Sequence, residues 1–264
     1  MINIVNYEMT FNNGILSKYA NKMKEHLDLL GVESFISPTP QRADICHHIN
    51  YLPYRPNEFK NTLMITHIFE GYKLDKVKEA MKTADVGICF SKETKDFLIE
   101  KGVEGKLEVI LPAHDGLKKK KKIAVVTNVY PDGCKREKMF YDLLGVVDKD
   151  KFEFIVMGSG WNLNGIEYYP KFDLKIYENI LNACDYLLYF GKDEGAMSVL
   201  DAKHLGLRII APLTGFHHEV GIDYPFDAQN DLNGIFESLA ASPVEDWTWE
   251  NYTLQHLNLW KKLL

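Results

Sequence analysis

The chain has 264 residues, 46% of them hydrophobic and 26% charged, with a formal net charge of −6 at pH 7. Those proportions exclude a disordered or fibrous chain, and the length fits one large domain or two of about 120 residues each. No apolar run approaches the roughly 18 residues of a membrane span, and the first residues lack the basic region and apolar core of an export signal.

Charge is unevenly spread. Residues 1–117 carry 14 basic and 16 acidic groups, residues 118–122 are five lysines, and residues 123–264 carry 12 basic and 21 acidic groups. The acidic balance is the opposite of that expected for a protein gripping duplex DNA by its phosphates, although it leaves room for a local basic groove. The lysine run reads as a solvated linker, with an anion-binding or membrane-surface patch as the alternative. The cysteines (Cys46, Cys89, Cys134, Cys184) have no metal-ligand spacing. Reduced thiols in a cytoplasmic protein are therefore expected.

Taken in order, residues 2–6 read as a strand and Asn12-Asn13-Gly14 as a turn. Residues 15–30 form a helix, apolar at Ile15, Tyr19, Met23, Leu27 and Leu30 and stopped by Gly31. Strands follow over 32–37, 43–49 and 62–67, then a helix over 74–83 and a strand over 86–90. Ser91 is placed as the N-cap of a helix running to Lys101, and 107–111 is a strand stopped by Pro112. The pattern restarts after the lysines. Strands are expected over 122–127, 152–157, 186–190 and 208–211, and helices over 138–144, 176–183, 198–205, 231–241 and 251–263.

Strand–helix alternation with almost no hairpin signal predicts an α/β protein with parallel sheets. The restart predicts two Rossmann-like domains, 1–117 and 123–264, joined by the 118–122 linker and facing across a cleft. The last helix is free to pack back on the first domain. Ligands of such sheets bind beyond the carboxyl ends of the strands, so the residues of interest follow strands.

The richest such segment is 191–206, which leaves a strand and opens a helix. Free amides and the dipole at a helix start make an anion site, and Gly195 and Ala196 leave room for a diphosphate near the backbone. Asp201, about one turn further in, can accept hydrogen bonds from ribose hydroxyls. An acidic N-cap followed by an ordinary amphipathic helix explains the same residues structurally.

The run Glu194-Gly195-Ala196-Met197-Ser198-Val199-Leu200-Asp201-Ala202, then Gly206 and Ile209-Ile210, resembles the donor-site signature of retaining GT-B glycosyltransferases of the GT4 type. It departs in two ways: the second acid is Asp201 rather than Glu, and Glu194 lies seven residues before it instead of eight. A one-residue deletion keeps Glu194 as the first acid; Asp193 has the family's spacing. Weaker likeness runs through 154–161, 109–112, 89–94 and 247–251.

Several roles are implied by this resemblance. Lys135 and Arg136 are similar to the family's phosphate clamp, and with the amides of Gly195, Ala196, Met197 and Ser198 they meet the leaving diphosphate. Glu194 holds sugar hydroxyls, and Gly14 belongs to a glycine loop that approaches the donor. His67, read as the end of a strand, orients the transferred sugar. His47 and His48 end the preceding strand within reach of the acceptor, although for these two a core role is the favoured reading, and for His67 a core or capping role is the alternative. His217-His218-Glu219 lacks a third ligand at metal spacing and reads as a loop. The implied activity is metal-independent transfer, with retention, from a nucleotide sugar, which is a substrate, so that no cofactor is needed. A polysaccharide or lipid-linked glycan is the favoured acceptor, over a nucleobase in DNA as in viral base-glucosylating enzymes. A nucleotide-sugar epimerase and a non-catalytic sugar-nucleotide-binding protein remain alternatives.

Overall fold

The computed structural model describes residues 1–8, 14–68 and 71–264. They divide into two compact units: Met1–Leu117 with Val244–Leu264, and Lys118–Pro243.

Unit 1 is built on a six-stranded parallel sheet in the order β2-β1-β3-β4-β5-β6. Its strands are β1 (Ile2–Val5), β2 (Ser34–Ser37), β3 (Ile45–His48), β4 (Lys60–Ile65), β5 (Val86–Cys89) and β6 (Leu107–Val109). β1, β3 and β5 are buried at every position, as strands covered on both faces must be. The covering helices are α1 (Ile15–Leu29), α2 (Gly71–Met81), α3 (Lys92–Glu100) and, from the far end of the chain, α9 (Trp249–Lys261). Trp249, Tyr252, His256 and Trp260 recur at helical spacing and are all buried. Tyr19 of α1 meets Trp249 and Tyr252 edge to face at 5.0 and 5.6 Å. The Trp260 indole donates to the Thr62 hydroxyl at 3.2 Å, which ties this helix to β4.

Unit 2 carries a second six-stranded parallel sheet, ordered β12-β11-β10-β7-β8-β9. Its strands are β7 (Lys121–Val126), β8 (Phe152–Met157), β9 (Glu167–Tyr169), β10 (Tyr186–Leu188), β11 (Arg208–Ala211) and β12 (Tyr224–Pro225). The helices are α4 (Glu137–Val146), α5 (Leu174–Ala183), α6 (Met197–His204), α7 (His217–Val220) and α8 (Gln229–Ala240). One face of the sheet packs an aromatic-rich core around Phe140, Phe154, Trp161 and Phe190, and the other an aliphatic core around Ile180, Leu187 and Val199.

Most expected elements are present, and two parallel α/β sheets stand as predicted. Lys121 and Lys122 are strand residues, so the lysine run is only in part irregular. Ser91 caps α3 by accepting from the Thr94 amide at 3.0 Å. β9, α7 and β12 were not expected; they have two to four residues each, too few to show periodicity. All four cysteines are free. Among the described residues no helix is long and apolar enough to cross a membrane.

Candidate functional site

In unit 2 the chain winds away from β7 in one direction through β8 and β9, and in the other through β10 to β12. The boundary between neighbours β7 and β10 is the topological switch point, where the loops diverge and leave a crevice. A cavity of about 530 Å³ opens there, lined among others by Thr127, Lys135, Tyr189, Met197, Ser198 and Asp201. Gly158 shapes its floor. With φ +137° and an added Cβ falling 2.0 Å from the Thr127 carbonyl oxygen, only glycine lets the end of β8 lie against the end of β7. A cavity of about 590 Å³ at the opposite ends of the strands is lined by Lys121, Asp185, Arg208 and the carboxyl ends of α5 and α6. Ligands of parallel sheets bind beyond the carboxyl ends of the strands, so the cavity at the switch point is the candidate site.

Lys135 reaches that cavity from the loop after β7. Its ammonium donates to the Tyr189 hydroxyl at 2.8 Å and forms an ion pair with Asp193. The Tyr189 hydroxyl in turn donates to the Asp193 carboxylate at 2.7 Å. Burial works against the Lys135 charge, but the bonds to Asp193 and Tyr189 outweigh it and raise its pKa. Burial likewise opposes the Asp193 charge, and bonds from Lys135, Tyr189 and the Gly195 amide reverse that and lower its pKa. Tyr189 is pushed up to about 12, chiefly by burial. The site therefore holds a fixed cation with an internal counter-ion.

α6 begins on the same wall. Two of its leading amides are satisfied internally: Gly195 donates to Asp193 at 3.1 Å and Ala196 to Nε2 of His217 at 3.1 Å. His217, buried in α7, carries its proton on Nδ1, which donates to the Pro212 carbonyl at 2.9 Å. The amides of Met197 and Ser198 have no internal partner among the described residues, so half of the expected anion site stays open. Gly195 is required for a reason other than ligand approach. It has φ +105°, and a Cβ there would sit 2.8 Å from the Phe216 ring. Asp201 accepts from the Tyr177 hydroxyl at 2.6 Å.

Lys135, Gly195, Ala196, Met197, Ser198 and Asp201 thus line one cavity. Arg136 does not join them. Its guanidinium turns inward and donates to the carbonyls of Phe190 at 2.6 Å and Asp227 at 2.8 Å, over the Phe226 ring. Sequence spacing cannot separate these adjacent cations; the left-handed backbone of Arg136 (φ +47°) sends them to opposite sides. Glu194 is exposed, neither it nor Asp193 is among the lining residues, and the acid that meets Lys135 is Asp193. Asp193, the acid with the family's spacing to Asp201, is thus the one beside Lys135.

The remaining expected residues lie in unit 1. His47 and His48 are 0% exposed and cannot present themselves to an acceptor. His47 Nδ1 bonds the Thr62 hydroxyl at 2.9 Å and its ring packs against His256. His48 donates from Nε2 to Asn61 Oδ1 at 2.9 Å and accepts on Nδ1 from Tyr7 at 3.0 Å. Both are core histidines on a fully buried strand. His67 is exposed, two residues beyond the end of β4, with φ +54°. Gly14 is the N-cap of α1, while Asn12 and Asn13 lie outside the described residues. Tyr189 and Tyr177 were missed because a tyrosine in an apolar run reads as core.

No family model matches the chain, and no curated protein matches it. Solved structures are similar in arrangement. Sucrose-phosphate synthase from Thermosynechococcus elongatus matches 99% of this chain and 98% of its own, at 11% identity and a TM-score of 0.40. The lipopolysaccharide outer core galactosyltransferase WaaB matches 100% and 99%, at 14% identity and a TM-score of 0.38. An alpha-glucosyltransferase solved with UDP and a 13-mer DNA matches 97% and 94%, at 10% identity and a TM-score of 0.35. Against several other chains the match spans only about 58–60% of their length. Likenesses of this size leave the reading of the site to its own geometry.

Proposed function

We propose that this chain is a GT-B glycosyltransferase of the GT4 type, moving a sugar from a nucleoside-diphosphate sugar to an acceptor hydroxyl. The observation that carries the reading is the convergence of the Lys135 cation, the Met197 and Ser198 amides and the Asp201 carboxylate on one cavity at a switch point. The GT4-like run 194–202 adds to it.

In this reading the diphosphate meets Lys135 and the two amides, and Asp201 accepts from ribose hydroxyls. As the bond from the anomeric carbon to the diphosphate oxygen breaks, negative charge grows on that oxygen. A cation and amides already in place stabilise it without reorganisation. This stabilisation calls for no metal. Attack from the same face gives retention, and the departing phosphate takes the acceptor proton. His67, held in a backbone conformation uncommon for a non-glycine residue, is assigned to orienting the transferred sugar. The acceptor is assigned as a glycan, in keeping with the acidic balance of the chain.

The test is a thermal-shift panel of UDP, GDP, ADP and their sugars, because a ligand that binds only the folded state raises its melting temperature. At least one should stabilise the protein, and none doing so would end the reading. The donor so found is then incubated with glycans and with DNA bearing hydroxymethylated bases. Mass gain on a glycan supports the acceptor assignment, and gain on DNA alone replaces it. Donor turnover with neither acceptor points to an epimerase.

A further inference from the structure

The site contains a residue that nothing in the donor chemistry itself demands. Tyr189 lies one residue past β10 with its ring 1% exposed, yet its hydroxyl reaches the cavity wall. There it accepts from Lys135 and donates to Asp193, so both of its hydrogen-bonding roles are filled. The Lys135 ammonium also lies 5.1 Å from the centre of the Tyr189 ring. The chain makes room for this hydroxyl: a Cβ at Gly191 would fall 2.3 Å from it. The edge-to-face contact with His217, ring centres 5.5 Å apart, fixes the ring from another side.

We propose that Tyr189 is a positioning residue, whose hydroxyl shares Asp193 with Lys135 and so holds the ammonium at the cavity wall, available to a diphosphate. A lysine side chain has four rotatable carbons and a mobile point charge. Its ion pair with Asp193 is already closed, so what the hydroxyl adds is a second fixed partner that limits where the ammonium can swing. The hydroxyl supplies a second acceptor and divides the carboxylate's capacity between two donors. This inference rests on the diphosphate-binding reading, and it makes the Lys135–Tyr189 pair a single functional unit.

A double-mutant cycle tests it, with UDP, ADP and inorganic pyrophosphate as probes followed by calorimetry. Tyr189→Phe keeps the ring and should weaken binding of the probes that wild type binds by about tenfold, the effect of one charge-assisted bond. On a Lys135→Ala background the same change should have no further effect. Gly191→Ala, which drives the hydroxyl from its place without removing it, should reproduce the loss. It also serves if Tyr189→Phe does not fold. Binding by Tyr189→Phe equal to wild type, or losses that simply add in the double variant, would overturn the positioning role and leave the diphosphate reading standing. Wild type binding none of the three probes would overturn both.

Discussion

The Tyr177 hydroxyl donates a 2.6 Å hydrogen bond to Asp201, so the carboxylate assigned to ribose is steered by a neighbouring helix. Burial first, then the bond to this carboxylate, raise the Tyr177 pKa, and the phenol stays a donor through the physiological range. Asp201→Ala should therefore lower affinity for the bound nucleoside diphosphate by about tenfold, one charged hydrogen bond. Affinity for inorganic pyrophosphate, which has no ribose, should not change. Calorimetry with both ligands checks this, and equal losses would remove the ribose assignment.

Lys135 and Arg136 are neighbours in sequence with separate tasks. Lys135→Ala should weaken diphosphate binding by about a hundredfold, still within reach of calorimetry, while the melting temperature stays near wild type. Arg136→Ala strips the Phe190 and Asp227 carbonyls of a charged donor, and should cost roughly 1–3 kcal/mol of stability. Its folded fraction should bind as wild type does. Urea unfolding beside calorimetry separates the two, and the opposite pattern would restore Arg136 to the phosphate clamp.

Unit 1 should be acid-sensitive. Burial holds His48 and His256 down at about 4 and His47 well below its ordinary value of 6.5. Below pH 6.5 the unfolded chain takes up protons that the folded chain refuses. Stability is then complete above pH 6.5 and falls as pH drops toward 4, by up to about 1.4 kcal/mol per pH unit for each histidine. Denaturant midpoints at pH 7 and pH 5 measure the slope. His256→Gln should flatten it, and equal midpoints for wild type would contradict the burial of these rings.

His67→Gly relieves a left-handed backbone strained by roughly 1 kcal/mol, so stability should hold or rise slightly. Nucleotide affinity should stay unchanged while sugar transfer falls. Transfer at the wild-type rate would reduce His67 to a loop residue.

The architecture was largely legible because parallel strands buried on both faces leave short apolar runs, as at 86–89 and 123–125. Asp201 and the start of α6 were legible because glycine, helix start and acid fall within one short segment. What failed did so for local reasons. A histidine ending a strand looks the same whether it faces solvent, like His67 beyond β4, or the core, like His47. Arg136 and Lys135 differ only through a backbone angle that composition does not report. Tyr189 carries no sequence signal, since its hydroxyl is placed by Gly191 and by partners 54 and 4 residues away.

The discontinuity of unit 1 has a consequence for biosynthesis. Its sheet is complete by Val109, but the helix that covers Met64 and Thr62 is translated only after the whole of unit 2. A ribosome releasing this polypeptide exposes a half-built apolar layer while the intervening unit is free to collapse on its own. Nascent unit 1 is thus a natural client for chaperones, and its maturation should lag behind that of its neighbour.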